Sequence, residues 1–133
     1  MKEYHISIRL ADGSTIPATI QREDQDTTCQ LLLTAEGINE VSTSTDYFES
    51  FTNIRTRLAQ RQILPLCYAA SINIWPSGMA RDMGQGLKAY KLKLGSRPQE
   101  MVDIFSTGPD MEPVTPEEQK AFATSWIESL KKA

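Results

Sequence analysis

Polar and apolar positions alternate from the start of the chain. Tyr4, Ile6, Ile8 and Leu10 interleave with His5, Ser7 and Arg9, the period of a strand with one buried face. Ala11-Asp12-Gly13-Ser14 supplies turn chemistry, and Ile16, Ala18 and Ile20 mark a return strand over 15–20, so the pair reads as a hairpin. Pro17 has no amide hydrogen to give to a ladder, which places this second strand at a sheet edge or at a bulge. An acidic turn, Glu23-Asp24-Gln25-Asp26, leads to a third strand over 28–34, which Glu36-Gly37 ends.

The period then changes to that of a helix. Phe48, Phe51, Ile54 and Leu58 recur at helical spacing behind Asp46-Tyr47-Phe48-Glu49, a capping box with Asp46 as N-cap. This predicts an amphipathic helix over 46–62, with Arg55, Arg57 and Arg61 off its buried face and Pro65 marking its end. Residues 66–75 carry the strongest strand pattern. Leu66, Tyr68, Ala70, Ile72 and Ile74 line one face and the small Cys67, Ala69 and Ser71 the other, as in a central strand with a helix packed closely over it. A strand over 87–94 follows, its Lys88, Lys91 and Lys93 at least partly in solvent, and then a short strand over 101–105. Thr115-Pro116-Glu117-Glu118 is a second capping box, with proline at the first helical position. Behind it Phe122, Trp126, Ile127 and Leu130 form the apolar stripe of a C-terminal helix ending in Lys131-Lys132, a favourable place for positive charge. The order βββ-α-βββ-α predicts one α+β domain over 1–133. Its sheet is mostly antiparallel, of about six strands, with two helices on one face.

Composition narrows the function classes. The chain has 133 residues and 40% of them are hydrophobic, enough for one domain with a real core. Its apolar runs, such as Leu31-Leu32-Leu33, are short, so no membrane span is expected. The opening MKEYHISIRL alternates instead of reading as a secretory signal, which points to a cytoplasmic protein. In that compartment Cys29 and Cys67, both inside apolar stretches, read as buried reduced thiols. The net charge of −3 conceals an uneven layout: residues 1–52 and 98–133 are acidic, whereas 53–97 hold eight basic side chains against Asp82.

With one His and two Cys, most metal and nucleophile chemistries lack parts. His5 lies on the polar side of the first strand, with no Cys or Ser cued to pair with it. Asp103, Asp110 and Glu112 offer carboxylates for Mg²⁺ but sit in what reads as a solvated loop run. No catalytic constellation, metal site or cofactor is expected, and the chain reads as a binding protein and not an enzyme.

One segment stands out. Residues 73–90 join two expected strands through a connection about twice the usual hairpin length of ~2–5 residues. It concentrates Trp75, Ser77, Met79, Arg81, Asp82, Met83 and Gln85 with three glycines. Trp, Met and Arg favour interface cores, so these seven form a candidate partner-binding patch with Arg81 and Asp82 at its polar centre. Alternatively the Gly-rich loop 76–86 cradles a small ligand or anion through its amides and Arg81. The spacing of Gly78, Gly84 and Gly86, however, matches no known phosphate loop. The plainest alternative is a structural crossover with a helical turn at 79–83, whose methionines and Trp75 plug the end of the sheet. A nucleic-acid surface on the basic strand 88–97, with Tyr90 among its lysines, is a further alternative. The pI near 5.2 argues against it, and Tyr90 shares its parity with Leu92 and Leu94.

The stretch IWPSGMARDMGQGLKAYKL, with LCYAAS before it, resembles a block in small bacterial immunity proteins. These are cytoplasmic antidotes encoded beside polymorphic or contact-dependent toxins, which they bind and block. The likeness spans residues 66–94, under a quarter of the chain. It implies a protein partner, a toxin domain encoded nearby, occluded sterically with charge steering the encounter. It carries no catalytic residue onto this chain. If such a toxin is a basic nuclease, the acidic runs Glu23-Asp24-Asp26 and Asp110-Glu112 are a second candidate face.

Overall fold

The N-terminal alternation builds the larger of two sheets. In the computed structural model, which describes residues 2–24, 26–98 and 100–131, β1 (Lys2–Arg9) buries Ile6 and Ile8. Gln25 of the acidic turn and Lys132 of the basic C-terminal end lie outside the described residues. The chain reverses where both the amide and the hydroxyl of Ser14 donate to Asp12 Oδ1, at 2.9 and 2.6 Å. It returns as β2 (Thr15–Asp24), then β3 (Cys29–Ala35) and β4 (Ile38–Ser44). A short β5 (Leu64–Leu66) adds to the free side of β1, giving the antiparallel order β4-β3-β2-β1-β5. The register sets Ile8 against Ile16, Ile6 against Ala18 and Ile20 against Leu33 on the inner face. Burying each such aliphatic side chain contributes about 1.5–3 kcal/mol.

Helix α1 (Tyr47–Ala59) packs on that face through Phe48, Phe51, Ile54 and Leu58, as its spacing predicts, and Asp46 caps it by accepting from the Glu49 amide. At the sheet's β4 edge, Arg57 pairs with Glu40 at 2.7 Å and donates to the Val41 carbonyl at 2.5 Å. An edge so occupied is a poor template for another strand. Beyond β5 a 3-10 turn (Tyr68–Ala70) leads to β6 (Ile74–Trp75), α2 (Gly78–Gly84), β7 (Lys88–Lys91) and β8 (Met101–Asp103). The strands form a second antiparallel sheet, β6-β7-β8. Helix α3 (Pro116–Lys131) closes the chain, its capping box made as expected: Thr115 Oγ1 accepts from the Glu118 amide and Glu118 Oε1 accepts from the Thr115 amide. Buried side chains from both sheets and α1 form one continuous core.

The α+β class and antiparallel pairing agree with the sequence pattern, but among the described residues eight strands and three helices replace the expected six and two. Strand β4 escaped notice because its inward positions after Ile38 are Glu40, Ser42 and Ser44, which make no apolar alternation. Residues 66–75 are not one central strand. Both parities are buried there, so the alternation carries no face, and the backbone is held by other segments. Tyr68 N donates to Ser106 O and Ala69 N to Ile104 O. The segment 87–94 is strand only over Lys88–Lys91, and Leu94 is exposed. Pro17 sits in an interior strand. Pairing with β3 starts one residue later, at Ala18 opposite Ala35, so the strand is locally an edge where the proline falls. On α3 the buried residues are Gln119 and Ala123, while Ile127 of the expected stripe is exposed.

The largest correction concerns Arg55, which lies inside. Its side chain is 1% exposed, with Nη1 donating to Ala69 O (2.9 Å) and Gln119 Oε1 (2.6 Å) and Nη2 to Val114 O (3.0 Å). Gln119 Nε2 lies within 3.0 Å of the carbonyls of Ala69, Ser71 and Ile74. Arg55 and Gln119 thus tie α1, the 3-10 turn, β6 and α3 together through backbone carbonyls. Burial pushes the guanidinium pKa down to about 10, which leaves it charged at neutral pH.

Both cysteines are buried and unpaired. Desolvation raises the Cys67 thiol to about 12 and raises Cys29 as well. Thiolate is the reactive form. The folded protein should therefore leave a colourless disulfide reagent such as DTNB unconsumed at neutral pH, and both thiols should react in urea. Prompt reaction of either thiol under native conditions would contradict the placement.

Candidate functional site

The segment between β6 and β7 does contain the helical turn expected at 79–83, extended to α2. Its ends explain its position. Ser77 Oγ accepts from the Ala80 amide at 3.0 Å, the ordinary N-cap bond. At the other end Gln85 and Gly86 both have left-handed backbone, φ 57° and 71°, and both amides donate to the Ala80 carbonyl. The Gln85 carbonyl then accepts from Tyr47 N at 2.7 Å, which fixes the end of α2 to the start of α1.

Arg81 anchors the same junction. Its Nη1 lies 3.1 Å from Asp46 Oδ2 and 3.9 Å from Glu49 Oε2. The guanidinium stacks over Phe48 and Trp75, 5.2 and 5.6 Å from their ring centroids, and those rings meet edge to face at 5.5 Å. Asp46, itself buried, gives its other oxygen to the helix cap, accepting from the Glu49 amide at 2.8 Å. One carboxylate therefore serves the N-cap of α1 and the docking of α2.

This arrangement divides the seven candidate residues. Trp75 is half-buried in the stack, Ser77 is the cap and Arg81 is the anchor. Met79 and Met83, one helical turn apart on the same face, are 71% and 81% exposed, and Asp82 and Gln85 are exposed beside them. A polar cleft lined by Ser44, Thr45, Asp46, Glu49, Arg81 and Asp82 adjoins them. The sequence named Asp46 and Glu49 only as capping residues. Their approach to Arg81 joins elements 35 residues apart in the chain, beyond the reach of local pattern.

The other candidate surfaces are partly self-neutralised. On the basic strand 88–97, Lys88 faces Asp103 at 3.6 Å, and Lys91 pairs with Glu100 at 3.3 Å and Asp110 at 2.9 Å. Lys91 also stands over the Tyr68 ring, and Tyr68 donates to Asp110 at 2.6 Å. These contacts hold the Asp110 carboxyl below its ordinary range and raise the Lys91 ammonium. Of the acidic runs, Asp110 is thus committed to Lys91, and Asp24 accepts from the Tyr47 hydroxyl and faces Arg22. The amides of Gln85 and Gly86 are used within α2, and Gly84 lies inside the helix, so the Gly-rich loop 76–86 has an ordinary helical structure. His5 is exposed, 3.6 Å from Glu3. Among the described residues, no three His, Cys, Asp or Glu side chains gather as a metal site, and no helix is long and apolar enough to cross a membrane. No protein-family model and no curated protein matches the chain.

Proposed function

We propose that the chain is a non-catalytic binding protein that docks a protein partner through α2, as an immunity protein occludes its toxin. One observation carries this reading. Met79 and Met83 stand out in solvent on a turn whose backbone is fixed by Ser77, Arg81, Gln85 and Gly86. Large apolar side chains held in a fixed pose lose little conformational freedom on binding, and methionine adapts to irregular partner surfaces. Asp82 and Glu49 beside them favour a partner with a basic rim around an apolar contact. The stretch that resembles immunity proteins, residues 66–94, contains this whole turn and the strands that carry it. A cytoplasmic setting and a toxin encoded nearby belong to the same proposal.

The test is co-expression with the product of the adjacent gene. That product should arrest growth alone and be harmless beside this chain, and the two should purify as a stoichiometric complex. Replacing both methionines, Met79→Glu with Met83→Glu, should weaken the complex by about a hundredfold, as loss of a central apolar anchor does. Circular dichroism and melting temperature should stay unchanged, because neither side chain packs on the core. A harmless neighbour, or a double variant that binds as tightly as the parent, would sink the reading. Arg81→Glu is the weaker test: it sets a carboxylate against Asp46 and Glu49 and so perturbs the fold as well.

A further inference from the structure

The inner face of the larger sheet changes character at one end. Lys2 shares its parity with Tyr4, Ile6 and Ile8 along β1, and Arg22 shares its parity with Ile16, Ala18 and Ile20 along β2. Lys2 and Arg22 are direct cross-strand partners, so two like charges stand opposite each other on the side that elsewhere holds the core. Such a pair repels unless a counter-charge sits nearby.

These two residues line a cleft of about 340 Å³ with Tyr4, Leu87, Lys88 and residues 103–106. The Tyr4 and Phe105 rings meet at 4.7 Å with a 45° tilt, and Ile104 beside them is fully buried. Arg22 is braced: its Nη1 donates to the Tyr4 hydroxyl at 3.3 Å, and its Nε lies 3.4 Å from Asp24. Lys2 stands over the Tyr4 ring at 5.9 Å. Lys88 comes from the other sheet and faces Asp103 at 3.6 Å, with both side chains mostly in solvent. Three cations against two carboxylates, Asp103 facing Lys88 and Asp24 beside Arg22, therefore surround an aromatic and aliphatic wall. The volume falls in the range of about 300–1,000 Å³ usual for small-molecule sites.

We propose that this cleft binds a small, flat aromatic anion. Its ring lies against Tyr4, Phe105 and Leu87, and its carboxylate or phosphate takes charge-assisted hydrogen bonds from Lys2, Arg22 and Lys88. The wall selects a ring over a bare inorganic anion, and the cations select a charged ligand over a neutral one. The site uses neither α2 nor the methionines, so it stands apart from the docking surface.

The probes are 2-naphthoate, 2-naphthyl phosphate and neutral 2-naphthol, titrated into the full chain by calorimetry and by amide chemical-shift mapping. At least one anion should saturate, bind about tenfold or more tighter than 2-naphthol, and shift the amides of Tyr4, Leu87 and Phe105. Which anion binds tighter identifies the head group as carboxylate or phosphate. The double variant Lys2→Glu with Lys88→Glu changes two exposed side chains and should keep its fold. It should bring the anion's affinity down to that of the naphthol. Equal binding of charged and neutral probes, shifts centred elsewhere, or saturation by neither anion would overturn the proposal. So would full anion affinity in the folded double variant.

Discussion

Arg55→Ala should lower the free energy of unfolding by about 4 kcal/mol, read as a drop in the urea midpoint at unchanged slope. The guanidinium supplies three hydrogen bonds in a site sealed from water. Truncation leaves the Ala69 carbonyl satisfied, because Gln119 Nε2 still donates to it. Gln119 Oε1 and Val114 O lose the donors described here, and each buried polar group stranded in this way costs about 1–3 kcal/mol. A cavity the size of an arginine side chain adds to this, while release from burying a charge subtracts. Even in the native protein the Nε of Arg55 has no partner among the described residues, so the site is not at its optimum. Arg55→Met retains most of the volume and no charge, and should lose about half as much. If Arg55→Ala cost under about 1 kcal/mol, the hub would not be holding α1 to α3.

Gly86→Ala should cost about 3 kcal/mol of stability. Its backbone lies at φ 71°, a left-handed conformation that costs an L-residue roughly 1–2 kcal/mol. A Cβ there would also stand 2.6 Å from Asp46 Oδ1 and 3.0 Å from the Phe48 backbone nitrogen. Moving Asp46 aside loosens the α1 cap, worth about 1 kcal/mol, and weakens the ion pair with Arg81. Two controls separate the terms. Gly13→Ala meets the same backbone penalty at φ 87° with no atom nearby, and should show only that part. Gly84→Ala, within α2 and open on all sides, should be neutral or gain up to about 1 kcal/mol from helix propensity. Thermal denaturation of the three variants is the measurement. A Gly86→Ala loss no larger than that of Gly13→Ala would mean that the Asp46 contact yields easily.

What the sequence made legible follows the range over which each signal acts. The first hairpin, α1 with its Asp46 cap and the Thr115 capping box are set by residues within a few positions of each other, and they fold as their spacing predicts. The segment 66–75 misled because full burial on both sides erases the contrast on which alternation depends. Arg55 misled for a related reason: a charged residue between Ile54 and Leu58 reads as solvent-facing unless its distant acceptors, Val114 and Gln119, are known. At the candidate site the helical turn was readable from composition and spacing, but a plain crossover would turn its methionines onto the sheet end, whereas Met79 and Met83 stand in solvent. The fixing of Arg81 by Asp46 was not readable, because it is a meeting of two elements and not a property of either. The Lys2–Arg22 pairing was equally hidden, since it depends on a register between strands that the sequence does not print.

The division of labour along α2 bears on how such a surface changes over generations. Ser77, Arg81 and Gly86 hold the backbone, while Met79, Asp82 and Met83 touch little of their own chain. Exposed positions of that kind accept substitution within about ±0.5 kcal/mol of stability. If α2 docks a partner as proposed, mutations that retune recognition can therefore accumulate at these three outward residues while the fold is left alone. Descendants of this chain have room to diverge in what they bind before they diverge in shape.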